Sequence, residues 1–168
     1  MKKKNLTHIL LASVLLSLSA LSGAQPMPVP VMEVINGNAK AWKAAQPTLR
    51  DAIECRKPLE HTAEVRSVFR STNNSLDGDH AFPEPLQVFG TLNVSSVAVF
   101  EGGEEEGNSY TVEFKGMKLA DVAKAAKLRK ERQGSRYIRE VKGGHLEADE
   151  INGKGVQLSC ILGGYSDD

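Results

Sequence analysis

Apolar positions along the chain recur with two different periods. Leu49, Ala52 and Ile53 fall at i, i+3 and i+4, and Val65, Val68 and Phe69 repeat that spacing, which predicts short helices over about 47–55 and 62–70. Pro47 suits the first turn of the former and Thr62 the N-cap of the latter. Leu119, Val122, Ala123 and Ala126 form a third helical stripe, with Asp121 in its first turn; Lys127, Arg129 and Lys130 are expected in its last turn, and Gly134 is its predicted stop.

Elsewhere the period is two. Tyr110, Val112 and Phe114 alternate with Thr111, Glu113 and Lys115, and Val156, Leu158, Cys160 and Leu162 point one way while Gln157 and Ser159 point the other. Positions 92–100 read as a more fully buried strand, joined to 110–114 by an acidic tip over 101–108. Strands over 136–141, 146–151 and 156–162 follow, separated by Gly143-Gly144 and Asn152-Gly153. Tight turns make neighbours antiparallel. The expected fold is a two-layer α+β domain over 47–163: a mostly antiparallel sheet of about five strands, covered on one face by two or three helices.

Two segments lack either period. Residues 71–86 hold Asn73-Asn74, Asp77-Gly78-Asp79, Pro83 and Pro85, which predicts a long loop. Loops of that length in a compact domain are commonly functional. Residues 25–46 form a Pro/Ala-rich N-terminal segment or linker: Gln25-Pro26-Met27-Pro28-Val29-Pro30 favours polyproline II, and the part around Trp42 is compatible with a short docked helix. Residues 164–168 are a C-terminal tail.

The N-terminus fixes the expected compartment. Lys2, Lys3 and Lys4 precede an apolar run over 9–21 and then Ser22-Gly23-Ala24, the layout of a secretory signal peptide cleaved after Ala24. The run is shorter than the roughly 20 apolar residues a membrane span requires, and Gln25 occupies the position where a lipoprotein needs cysteine. The expected product is a soluble bacterial periplasmic or secreted protein with no stable membrane anchor. Its 18 basic and 21 acidic side chains give a net charge of −3. That balance, the compartment and the lack of aromatic residues among the basic ones argue against nucleic acid as a partner.

Export also bears on the two cysteines. In an oxidising compartment Cys55 and Cys160 should close the single internal bridge open to them, and their distance in sequence suits a structural staple rather than a redox pair.

Candidate chemistry is sparse. The chain has no nucleophile-elbow serine, no zinc-type cysteine or histidine spacing and no phosphate-binding glycine loop, so no catalytic residue, metal site or cofactor is assigned. Asp77, Asp79 and His80 gather two carboxylates and an imidazole in four positions, although turn chemistry explains them equally well. Charge is segregated: nine basic residues against three acidic ones lie between 118 and 142, whereas Glu101, Glu104, Glu105 and Glu106 crowd the hairpin tip. Segregation of this kind steers charged partners. The expected function is a non-enzymatic protein-binding module of inhibitor or immunity type acting in the cell envelope. Its candidate binding residues are Glu104, Glu105, Glu106, Asp77, Asp79 and His80. The alternatives are a small cell-wall-processing enzyme and an envelope protein that holds a small ligand.

Overall fold

A computed structural model describes residues 39–72, 74–102, 106–132, 134–151 and 153–163. The expected leader, the proline-rich stretch, Glu104, Glu105 and the C-terminal tail lie outside the described residues. No described helix is long and apolar enough to cross a membrane.

Helix α1 (Ala39–Ile53) starts well before Pro47 and buries Trp42, Ala45, Leu49, Ala52 and Ile53 along one stripe. Pro47, which suits a first turn, instead lies inside the helix, on its exposed side. There the carbonyl that loses its donor, that of Lys43, can turn to water, and the alanine-rich stretch before it favours helix strongly enough to extend the element. Helix α2 (Ala63–Phe69) follows, capped as predicted: Thr62 Oγ1 accepts from the Val65 N–H at 3.2 Å.

Among the described residues the sheet has seven strands, not about five, all antiparallel. They are β1 (Gly78–Val88), β2 (Leu92–Glu101), β3 (Asn108–Lys115), β4 (Arg129–Lys130), β5 (Tyr137–Val141), β6 (Gly144–Glu150) and β7 (Gly155–Leu162), in the order β1-β2-β3-β7-β6-β5-β4. Two of them revise the reading of the sequence. Strand β1 occupies most of the expected 71–86 loop. It pairs with β2 on both sides of an irregularity between Ala81 and Leu86, and that interruption takes up Pro83 and Pro85. An edge strand with a bulge does not need the N–H groups that proline lacks. Strand β4 comes from the basic run that the sequence pattern assigns to the end of the third helix. Helix α3 (Leu119–Ala126) ends early because Lys127 adopts a left-handed conformation (φ 56°) and the Leu128 N–H closes on the Ala123 carbonyl at 2.8 Å. Leu128 is thereby turned into the core, and Arg129 and Lys130 pair with Ile138 and Tyr137.

Two meanders, β1–β3 and β4–β7, are thus joined through α3, and β7 returns to lie beside β3. The three helices among the described residues pack on one face: α1 against β1, β3 and β7, α2 against α1 and β1, α3 against β6 and β7. Tyr110, Val112 and Phe114 of β3 stand opposite Cys160, Leu158 and Val156 of β7 on that covered face, at the centre of the core. The disulfide Cys55–Cys160 forms, with the two Cα atoms 5.2 Å apart, and ties the end of α1 to this central strand.

Tyr110 carries a polar atom into the core. It is 2% exposed, and its hydroxyl accepts from the Leu59 N–H at 2.9 Å. Burial is the main cause that pushes its phenol above the ordinary value of 10.0; the nearby Glu101 charge adds to the rise, and the bonds with Leu59 and Asn108 oppose it. The folded state therefore keeps this proton after the unfolded chain has lost it. The associated stability is complete below about pH 10 and declines as pH rises through the folded value. Tyr110→Phe is expected to cost about 1 kcal/mol near neutrality, through the orphaned Leu59 N–H, and to flatten the decline above about pH 10. Urea unfolding of both proteins at neutral and alkaline pH checks the two parts separately.

Candidate functional site

The disulfide decides what meets at one end of the sheet. Because Cys55 is fixed to Cys160, the residues that follow it, Arg56, Lys57 and Pro58, lie beside the end of β7. The β2–β3 tip and the β5–β6 turn reach the same end, and together they enclose an open cleft of about 430 Å³. Arg56, Lys57 and Lys142 contribute its cations, and Pro58, Asn108 and Leu162 line it further.

The rest of the lining is glycine backbone, and at Gly102 and Gly107 the chain segments come too close for side chains. A Cβ on Gly102 would stand 2.3 Å from the Gly107 carbonyl oxygen, and one on Gly107 would stand 2.6 Å from the Gly163 carbonyl carbon. The Gly102 N–H bonds the Gly107 carbonyl at 2.9 Å, and the Gly163 N–H bonds that of Gly143 at 2.8 Å.

Arg56 is a shared wall. It pairs with Asp51 at 3.2 Å and with the carboxylate of Glu54, which is only 4% exposed and also accepts from the Phe89 N–H at 2.6 Å. Beyond Arg56 a second cavity of about 400 Å³ is lined by Glu54, Lys127 and Arg139. The Arg139 guanidinium donates to the Ala126 carbonyl at 2.9 Å and to that of Glu54 at 3.3 Å, so one cation sits on the C-terminal ends of both α3 and α1. A cation there answers the negative end of each helix dipole.

The residues singled out by sequence are placed differently. Asp77 accepts from the Glu101 N–H and from the Ser75 hydroxyl, the latter at 2.8 Å; these bonds, in that order, hold its carboxyl below the usual value against a small opposing effect of burial. His80 stacks on Phe69 with ring centroids 3.8 Å apart, and its Nε2 lies 2.7 Å from the Leu76 carbonyl. Asp79 and His80 face Ala98 and Val97, on opposite faces of the sheet. Glu106 is exposed at the hairpin tip, next to the cleft-lining Gly107. Among the described residues no group of three or more His, Cys, Asp or Glu side chains is arranged to hold a metal ion.

The uncovered face of the sheet brings together a different set. Phe100, Ser109, Ile161, His145 and Glu140 form one row across five strands, immediately below the cleft rim. Phe100, 49% exposed, is the one exposed large hydrophobic side chain among the described residues. In the next row the Ser159 hydroxyl bonds Thr111 at 2.9 Å, and Arg136 reaches Glu147 at 3.0 Å. His145 Nε2 lies 3.7 Å from Glu147, but the Ser159 hydroxyl bonds Thr111 and Gln157 and not this imidazole. An activated serine would need that contact.

Sequence reasoning misses Arg56, Lys57 and Phe100 and treats Lys142 only as part of a charge run. One signal for the cleft is the set of glycine pairs at 102–103, 143–144 and 163–164, whose first members all line it. No protein-family model, curated protein or solved structure matches the chain.

Proposed function

We propose that this is an exported, non-enzymatic protein-binding module that meets its partner through the loop end of the sheet. The carrying observation is the juxtaposition there of a cationic open cleft, the exposed Phe100 and the exposed Glu106 beside Gly107. An aromatic anchor beside charged, solvent-facing groups is the composition expected of a binding hot spot and its rim. The glycine-built rim and the disulfide hold these groups on a rigid frame, which limits the ordering cost of association. Export past the N-terminal leader supplies the oxidising compartment that the disulfide needs, and inhibitors and immunity proteins act in that setting by occupying another protein's surface.

Site-specific photocrosslinking in envelope-bearing cells tests this reading. A photoreactive residue at position 100 or 106 should give a discrete protein adduct of one mass, and the same probe at Lys115 or Lys154, at the opposite end of the sheet, should give none. Adducts only from the opposite end, or none from either, would overturn it.

A further inference from the structure

We infer that the cleft between Lys57 and Lys142 is a binding site for a small multivalent phosphate-type anion. Three features carry this. First, Lys57 and Lys142 face one cavity of about 430 Å³, and neither makes an ion pair with any carboxylate among the described residues. Two like charges at one mouth repel, and an anion between them relieves that repulsion. Second, three of the described carboxylates near the cleft are engaged elsewhere: Glu54 and Asp51 hold Arg56, and Glu101 accepts from the Leu76 N–H at 2.8 Å and meets His61, while the exposed Glu106 does not line the cavity. Third, glycines at 102, 107, 143 and 163 keep the cleft walls free of side chains, so a compact polar ligand can approach the backbone.

The same features select the geometry of the anion. A planar carboxylate is best matched by the fork of an arginine, but the Arg56 fork is already taken by Asp51 and Glu54. The available cations are two ammonium groups, point charges with rotatable donors that suit a tetrahedral oxyanion. The cavity is of the size that holds small organic ligands, which points to a diphosphate or a phosphorylated small molecule. The neighbouring cavity is less suited because the buried Glu54 lies in its wall. The site shares its cleft with the protein-binding reading but does not rest on it, and it is tested without a partner.

The test is calorimetric titration of the full mature protein with pyrophosphate, inorganic phosphate, citrate and hexaglutamate. Pyrophosphate should bind saturably, more tightly than the carboxylate ligands and more weakly as salt rises. The double variant Lys57→Gln/Lys142→Gln should weaken it at least about tenfold, a loss of about 1.4 kcal/mol, whereas Lys115→Gln at the far end of the sheet should leave it unchanged. Amide shifts of Gly143 and Gly163 on titration provide a second readout independent of heat. No saturable pyrophosphate binding, equal binding by the double variant, or tighter binding of citrate or hexaglutamate would overturn the assignment.

Discussion

Replacing both cysteines, as Cys55→Ser/Cys160→Ser, should lower unfolding free energy by up to about 4.7 kcal/mol in the chain-entropy model, since the bridge spans a separation of 105 residues. The loss should exceed that from any ordinary surface substitution, because the reduced chain regains the freedom of nearly the whole folded body. Local order should suffer as well. Cys160 stands between Tyr110 and Leu146 in the central register, and Cys55 positions the segment that delivers Arg56 and Lys57 to the cleft. Urea unfolding of the oxidised wild type and of the double variant measures the first effect, and pyrophosphate titration of the folded variant measures the second. A difference in unfolding free energy below about 1 kcal/mol would show that the bridge is not the domain's staple.

The second large effect concerns adjacent glycines with opposite requirements. A Cβ on Gly144 would lie 1.9 Å from the Ile161 carbonyl oxygen, inside the β6–β7 ladder, where the obstacle is backbone and cannot rotate aside. Gly144→Ala should therefore cost about 3 kcal/mol, at the upper end for overpacking, and loosen the cleft wall with it. Gly143 has φ 78°, and a Cβ there would meet nothing within 4 Å, so its constraint is conformational only. Gly143→Asn should cost no more than about 1 kcal/mol, because asparagine tolerates the left-handed region. Thermal unfolding of the pair checks the contrast; equal destabilisation would refute the close-approach argument.

What the sequence discloses tracks how directly each feature depends on local period. The alternation at Val156, Leu158 and Cys160, the stripe at Leu119, Val122 and Ala123, and the cap at Thr62 all report burial or backbone bonding within a few positions, and the structure has them where the pattern puts them. Strand β1 escapes that logic. Asp77, Gly78, Pro83 and Pro85 carry turn chemistry, and only pairing with β2 across the bulge makes the segment a strand. The start of α1 is obscured in the same way by Pro47, whose cost is offset by the burial of Trp42 on the opposite side. The candidate site is the least legible part. Lys57 and Lys142 are distant in sequence and meet only through sheet order and the disulfide, whereas Asp79 and His80, adjacent in sequence, are separated by the strand's own alternation.

The two margins of the sheet share a property that bears on life at high concentration. One margin, β1, is interrupted by its two prolines, and the other, β4, is only two residues long. Neither offers a long, regular row of free amide and carbonyl groups on which another chain could template itself. A molecule with a broad uncovered sheet face is thereby poorly suited to growing sideways into fibrils.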